Sequence, residues 1–133
     1  MDTAIFDFLI GNMDRHHYET FQHFGSDTFV LLYDHGRGFG KSKYDCTSCL
    51  APLRQCCAIR LSTLTKLAKL YVGPSSLSQV LRQSMTSDPL SPILWEPHLD
   101  ALDRRLGKVI KVVNDCIAAG KSREHVIIND GVT

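Results

Sequence analysis

AIFDFLIGNMDRHHYE, residues 4–19, changes within a few positions from an apolar run to a run rich in charged residues and histidine. The first seven residues are mostly apolar and contain no glycine or proline, which predicts the last turns of a buried helix. Gly11 and Asn12 are typical of helix ends, so we expect the helix to stop there. The polar residues that follow are either ordinary surface or the surroundings of something charged.

The next segment predicts a strand followed by a loop. TFVLLY, residues 28–33, is a short apolar run with β-branched and aromatic residues, which predicts a buried strand. Asp34 follows directly and opens a loop with glycine at positions 36, 38 and 40. We expect this loop to require Gly36 and Gly38, because a Cβ there would obstruct the backbone.

The remainder of the chain has a helical pattern. Leucines at positions 61, 64, 67 and 70 predict a helix that Gly73-Pro74 stops, and Ser76 can cap a short helix through Met85. Apolar spacing predicts a long final helix over residues 99–117, closed by Gly120, with a loosely held tail at 121–133. The predicted fold is therefore mainly α with a short β-hairpin or strand pair.

Composition excludes some classes of function. The chain has 133 residues, 44% of them hydrophobic, and a formal net charge of +1. This charge balance provides no long-range field for nucleic acid or for an acidic membrane surface. No apolar run is long enough for a transmembrane helix, and the N-terminus lacks the features of a signal peptide. These features would fit a cytosolic protein, but a truncated chain would also have lost its signal peptide.

Five cysteines leave two interpretations open. Cys46 and Cys49 have the spacing of a zinc knuckle, but Cys56 and Cys57 are adjacent and poorly suited to one tetrahedral metal. Disulfides in an oxidising compartment are favoured over zinc. The odd count, which includes Cys116, then leaves one thiol that needs a partner elsewhere.

The order and spacing of three acids resemble the phosphotransfer half of a protein kinase. Asp14 lies in the loop after the helix, Glu19 follows five residues later, and Asp34 opens an Asp-x-Gly element after the predicted strand. In kinases, the first Asp accepts the substrate hydroxyl proton and the last binds a metal ion. Taken singly, Asp14 beside Arg15 could be a surface ion pair, Glu19 a solvated carboxylate and Asp34 a turn former.

Four longer motifs make the resemblance specific. Together they are similar to the C-terminal half of the secretory-pathway kinases of "family with sequence similarity 20", the Golgi casein kinase family. The motifs are FDFLIGNMDRHHYETF (6–21), GRGFGK (36–41), LAPLRQCCAIR (50–60) and PHLDALDRRL (97–106). The resemblance implies an atypical kinase fold, with residues 1–120 as the C-terminal lobe, residues 121–133 as a tail, and the N-terminal lobe absent.

The resemblance also implies a function. The full-length protein would transfer the γ-phosphoryl group of ATP to Ser of secreted proteins in Ser-x-Glu contexts, using Mn²⁺ or Mg²⁺. It would reside in the Golgi lumen and be secreted, and it could pair with itself or with a paralogue. The alternatives are a pseudokinase that activates a paralogous kinase, or a xylose kinase of proteoglycan linkers. Met13 and Arg37-Gly38 favour the protein-kinase branch or its pseudokinase relative.

Site roles follow from the resemblance by position. Asp14 is implied as the catalytic Asp, Glu19 as a nucleotide-contacting residue, and Asp34 as the metal-binding acid that also contacts the nucleotide. His35 departs from the family pattern, which usually has Asn after the metal-binding Asp. The Gly-rich loop, the phosphate-binding Lys and one further acid of the family lie outside this chain. We therefore expect the 133-residue chain alone to be catalytically inactive.

The family's disulfides carry over as well. They imply a Cys57–Cys116 bond, closing a loop of about 60 residues worth roughly 4 kcal/mol in the chain-entropy model. Cys56 is implied to pair with a cysteine upstream of this chain. Cys46 and Cys49 stand where the family usually has other residues, and they can bond each other.

Overall fold

A computed structural model describes residues 1–26 and 28–132. The described residues form six α-helices, two short strands and two 3₁₀ turns, at Gln22–Phe24 and Thr47–Leu50. The helices are α1 (Asp2–Ile10), α2 (Ala51–Cys56), α3 (Leu61–Val72), α4 (Leu77–Ser84), α5 (Glu96–Ala118) and α6 (Arg123–Val126). The strands are β1 (Ile59–Arg60) and β2 (Ile127–Ile128). The mainly α class is confirmed.

The long helix α5 forms the centre of the core. It packs against α1, α2, α3, α4 and α6. One face of α5 is buried through residues at helical spacing, Leu99, Leu102, Leu106, Val109 and Val113. The apolar spacing in the sequence had indicated this face, and Gly120 follows the helix with a φ of 88°, as predicted for its closing residue.

Helix α1 positions the polar loop that follows it. Ile5 and Phe8 are buried in the core, and the helix ends at Gly11, whose φ is 72°. An added Cβ on Gly11 would lie 2.9 Å from Arg105 Nη1, so both the backbone conformation and the available space favour glycine. The predicted helix end at this position is confirmed.

Short helices behind the core begin and end where the sequence indicated. Helix α3 ends at Val72, immediately before Gly73. Ser76 caps α4 through a capping box with Gln79, in which each side chain bonds the other residue's backbone N–H. The Ser78 hydroxyl donates to Asp103 Oδ2 at 2.6 Å, which connects α4 to α5.

The predicted strand at residues 28–33 is wrong. No strand is assigned there, and the side chains of Phe29 and Leu32 are 64% and 56% exposed. A strand needs a neighbouring segment for its backbone groups. Among the described residues, Leu31 N–H to Glu19 O, at 2.9 Å, is the one backbone–backbone hydrogen bond between this segment and residues 12–26. The strand pair lies elsewhere and is parallel, with Ile59 opposite Ile127, so it is not a hairpin.

The residues after Gly120 do not form a loose tail. Val126 is fully buried, and β2 pairs with β1. Asp130 accepts hydrogen bonds from the backbone N–H and the hydroxyl of Ser62, near the start of α3. Helix α6 and strand β2 therefore belong to the packed structure, while the division into a lobe and a tail at residue 120 stays a prediction.

Two disulfides link four of the five cysteines, and of these the resemblance implied the Cys57–Cys116 bond, while the pairing of Cys46 with Cys49 had been left open. Cys57, which follows α2, is bonded to Cys116 in α5, and Cys46 is bonded to Cys49. Cys56 is a free and exposed thiol. The zinc interpretation is not supported, because both cysteines of the knuckle-like pair are consumed by a disulfide.

Candidate active site

A buried carboxylate organises the loop after α1. Asp7, 3% exposed, accepts a hydrogen bond from Asn12 Nδ2 at 3.0 Å and two from Arg15, at 2.8 Å from Nε and 2.9 Å from Nη2. The hydrogen bond to Asp7, joined by the attraction of the two charges, raises the pKa of Arg15 above its usual value. A buried charge needs such partners, so these bonds fix the loop conformation.

Arg15 also connects this loop to the segment that carries Asp34. Its Nη1 donates to the backbone carbonyl of Tyr33 at 2.7 Å, and its Nη2 lies 3.1 Å from His35 Nδ1. The Arg15 guanidinium therefore contacts Asp7 in α1 and the two residues that flank Asp34 in the sequence. The alternative that Arg15 forms a surface pair with Asp14 is wrong, because Arg15 is bonded to Asp7.

Asp14 lies at the surface of a cleft. Its backbone N–H donates to Asn12 Oδ1 at 3.1 Å, so the buried network fixes its main chain. Its side chain is 51% exposed and pairs with Arg37, with 3.2 Å between Oδ2 and Nε. The Asp14 carbonyl oxygen lies 2.7 Å from His16 Nδ1. Asp14 thus has a fixed backbone and an accessible carboxylate.

Glu19 and Asp34 both lie near Tyr33. The Tyr33 hydroxyl is 2.6 Å from His17 Nε2, which lies 3.9 Å from Glu19 Oε1. Partial burial, followed by the negative charges of Glu19 and Asp34, raises the pKa of Tyr33. Asp34 is exposed and adopts a φ of 59°, so its backbone turns sharply at the start of the Asp-x-Gly element.

The glycine loop only partly matches the expectation. A Cβ on Gly38 would lie 3.0 Å from Ile10 Cδ1 and 3.2 Å from His35 O, which supports a requirement for glycine there. At Gly36, however, a Cβ would have nothing within 4 Å, so the expected obstruction is absent. The left-handed residue in this part of the loop is instead Phe39, with a φ of 57°, whose N–H donates to Ile10 O at 2.6 Å.

The cleft beside Asp14 has a volume of about 480 Å³. Asp14, Arg37 and Lys41 supply its charged lining, and glycines 11, 36 and 40 supply part of its wall. Asp34 and Glu19 do not line this cleft. The structure therefore places Asp14 with two cations, and it places Glu19 and Asp34 near Tyr33.

No complete metal site is formed by the described residues. Within residues 1–26 and 28–132, no three His, Cys, Asp or Glu side chains converge to hold an ion. Asp34 offers an exposed carboxylate, the hard oxygen ligand that Mn²⁺ and Mg²⁺ prefer. Its chemistry fits a metal ion that is also bound by nucleotide phosphates.

A second buried charge cluster was missed by the sequence reasoning. Arg105, 1% exposed, donates to the carbonyls of Leu9, Lys41 and Tyr44 at 2.9–3.0 Å and to Asp45 Oδ1 at 2.8 Å. It therefore joins α5 to the end of α1 and to the loop after the cleft. A signal was present, because Arg105 occupies the apolar face of α5 beside Leu102 and Leu106.

Asp45 is held by three cations. Arg104 Nη2 lies 2.8 Å from Oδ1, Arg105 Nε lies 2.8 Å from Oδ1, and Lys108 Nζ lies 2.7 Å from Oδ2. The hydrogen bonds from Arg104 first, and then from Lys108 and Arg105, hold the pKa of Asp45 far below its usual range despite partial burial. Asp7 carried a comparable signal, since a carboxylate inside an apolar helical run requires a buried cation as partner.

Comparison with known proteins identifies the family. The family model described as "Golgi casein kinase, C-terminal, Fam20" matches residues 1–125. The chain belongs to this Fam20 family. The chain is 58% identical over 117 residues to the Drosophila melanogaster "Extracellular serine/threonine protein CG31145", covering 88% of this chain and 22% of that protein.

Relatives named as kinases and relatives named as a pseudokinase are similarly close. The human extracellular serine/threonine protein kinase FAM20C is 50% identical over 98% of this chain and 22% of its own length. The mouse pseudokinase FAM20A is 54% identical over 95% of this chain and 23% of its own length. A human glycosaminoglycan xylosylkinase is 47% identical over 87% of this chain and 28% of its own length.

Solved Fam20 structures share the fold. A hydra Fam20 structure with sugar has a TM-score of 0.89 and 44% identity, covering 98% of this chain and 37% of that one. A Golgi casein kinase with Mn and ADP bound has a TM-score of 0.83 and 42% identity, covering 89% of this chain and 28% of that one. The chain thus spans about a quarter of the length of its curated Fam20 relatives.

None of the helices formed by residues 1–26 and 28–132 combines the length and apolar character needed to cross a membrane.

Proposed function

We propose that this Fam20 chain is the catalytic lobe of a secretory-pathway kinase that phosphorylates Ser of secreted proteins, in Ser-x-Glu contexts, with ATP. The observation that supports the proposal is the environment of Asp14. Its backbone is fixed by the buried Asp7–Asn12–Arg15 network, while its carboxylate faces an open cleft. A general base needs this combination of fixed position and access to substrate.

Asp14 would act on the acceptor hydroxyl. Asp14 takes the serine proton as the serine oxygen forms a bond to the γ-phosphorus and the bond from that phosphorus to the β,γ-bridging oxygen breaks. ADP leaves with the electron pair of the broken bond. Fixing the Asp14 main chain lowers the entropy cost of bringing the base to the hydroxyl.

Glu19 and Asp34 would hold the nucleotide. Asp34 is proposed as the protein's carboxylate ligand to Mn²⁺ or Mg²⁺ bound with ATP, and Glu19 as a nucleotide contact. The metal ion would neutralise negative charge on the phosphates. Arg15 bonds the Tyr33 carbonyl and approaches His35, so the Asp7–Arg15 pair would set the position of Asp34 relative to Asp14. The Golgi casein kinase structure with Mn and ADP supports this choice of ligands.

The test uses the full-length protein expressed in a secretory host. Transfer of phosphate from Mn²⁺-ATP to a Ser-x-Glu peptide is measured for wild type and for Asp14→Asn and Asp34→Ala. We expect each variant to lose about 10²- to 10⁴-fold in kcat. Asp115→Asn is the matched control, because Asp115 is an exposed acid on α5 that pairs with Lys111. Full activity in either site variant would contradict the assignment, and the isolated 133-residue chain is expected to be inactive.

A pseudokinase role is the second candidate function. The 54% identity to pseudokinase FAM20A supports it, because that identity is as high as the identity to relatives named as kinases. In this role the full-length protein would bind and activate a paralogous kinase through a homo- or heterodimer. Stimulation of a paralogue's activity by a full-length protein that transfers no phosphate would favour this function.

Two further elements of the proposal rest on the relatives. The names of two relatives describe extracellular proteins, which supports a location in the Golgi lumen and outside the cell. A xylose kinase activity is the third candidate, supported by the match to the human xylosylkinase. Met13 and Arg37-Gly38 disfavour it, because the resemblance associates other residues with that branch.

A further inference from the structure

The cleft beside Asp14 carries more positive than negative charge. Arg37 and Lys41 line it together with Asp14, and no other charged residue among the described residues does so. The Arg37 side chain is 76% exposed and contacts Asp14 through one Nε–Oδ2 pair of 3.2 Å. An exposed ion pair of this kind is weak, so a better anion can take Arg37 from Asp14.

Buried contacts fix the backbone that carries Arg37 and Lys41. The buried Arg105 guanidinium donates to the Lys41 carbonyl at 2.9 Å and to Leu9 O at 3.0 Å. Gly38 packs against Ile10, and its N–H donates to His35 O at 2.8 Å. Cationic side chains on a fixed main chain bind an anion at a lower ordering cost than cations on a free loop.

The location of the two cations separates them from the proposed nucleotide residues. Glu19 and Asp34 do not line this cleft, whereas Asp14, the residue proposed to meet the acceptor hydroxyl, does. An anion bound by Arg37 and Lys41 would therefore lie next to the acceptor serine. Charge complementarity favours an acidic side chain of the polypeptide substrate, since a carboxylate can accept two hydrogen bonds from one guanidinium.

We propose that Arg37 and Lys41 bind a carboxylate of the protein substrate beside the acceptor serine, and that Arg37 leaves Asp14 to do so. The inference rests on the proposed kinase function and assigns its specificity residues. Release of Arg37 leaves the Asp14 carboxylate free to accept the serine proton. An acidic substrate would then gain both affinity and a more available base.

The experiment compares two peptides with the full-length protein. One peptide carries Glu two residues after the acceptor serine, and the other carries Gln there. We expect wild type to prefer the Glu peptide at least tenfold in kcat/KM, since a hydrogen bond to a charged group is typically worth that much. In Arg37→Gln, the ratio of kcat/KM for the Glu peptide to kcat/KM for the Gln peptide should fall towards one, and it should fall further when Lys41→Gln is added. The KM for ATP should stay unchanged in both variants.

Lys43→Gln is the matched control. Lys43 is an exposed cation of the same loop that does not line the cleft, so the Glu preference should persist in this variant. An unchanged preference in Arg37→Gln/Lys41→Gln would overturn the inference. An equal loss of kcat/KM for both peptides, together with a raised KM for ATP, would also overturn it, because the cations would then hold nucleotide phosphates.

A binding measurement separates this inference from the proposed function. If wild type transfers phosphate to neither peptide, the kinase function fails, and binding of the two labelled peptides is then measured by fluorescence polarisation. Tighter binding of the Glu peptide that is lost in Arg37→Gln supports the carboxylate site. Equal binding of both peptides by wild type overturns it.

Discussion

Asp14 and Asp45 are both aspartates paired with arginine, yet their surroundings are opposite. The Asp45 side chain is 6% exposed and is bonded to Arg104, Arg105 and Lys108, so its charge is fully compensated. The Asp14 side chain is 51% exposed, and within residues 1–26 and 28–132 its one ion-pair partner is Arg37. The first arrangement holds the structure together, and the second leaves a carboxylate accessible from solvent. The position of Asp14 is instead fixed through its backbone, by Asn12.

Replacing the buried arginine should have the largest effect on stability. Arg105→Leu leaves Asp45 with two partially exposed cations and removes the Arg105 hydrogen bond from three backbone carbonyls. We expect a loss of about 3–5 kcal/mol in the free energy of unfolding, because the remaining buried groups lose their compensation. Urea unfolding of the full-length protein measures it.

Arg37→Leu is the comparison variant for Arg105→Leu. Because Arg37 is largely exposed, its replacement should change the free energy of unfolding by no more than about 0.5 kcal/mol. Similar losses in the two arginine variants would show that the two aspartate sites do not differ as described.

Acid should affect the Asp45 site in a predictable direction. Its folded-state pKa lies well below the unfolded value of about 3.9, so its charge stabilises the fold above that pH and the contribution is lost as pH falls towards the folded pKa. Asp45→Asn should be less stable than wild type at pH 7, and the difference should shrink below about pH 4. Urea midpoints at several pH values measure this.

The control for the acid experiment is Asp115→Asn, an exposed residue paired with Lys111. We expect a difference of no more than about 1 kcal/mol from wild type at every pH. A gap between Asp45→Asn and wild type that widens in acid would contradict the lowered pKa.

Local signals predicted the helices before residue 120 well, whereas α6 was missed. Gly11, Ser76 and Gly120 act through their own backbone or cap groups, so each helix end that they mark could be read from nearby residues. The apolar face of α5 could be predicted because its buried residues recur at helical spacing in the sequence. The prediction of a strand at residues 28–33 was wrong, because an apolar run becomes a strand only when another segment offers backbone partners.

Contacts between distant residues could not be read in the same way. Strands β1 and β2 have two residues each and pair Ile59 with Ile127, 68 positions apart, which leaves no periodic pattern. The three site acids were assigned by resemblance to a family, and the resemblance says nothing of Arg37 meeting Asp14. Arg105 and Asp7 gave a partial signal, as charges on apolar faces, but their partners depend on the tertiary fold.

The last pair of variants concerns the loop that joins the two aspartate sites. Gly38→Ala places a Cβ 3.0 Å from Ile10 Cδ1 and 3.2 Å from a backbone carbonyl, so we expect a loss of about 1–3 kcal/mol. Gly36→Ala has open space and a permitted φ, so it should be neutral or stabilise by about 0.4–1 kcal/mol through the unfolded state. Urea unfolding of both variants tests this, and equal losses would mean that the loop does not pack on α1 at Gly38 as described.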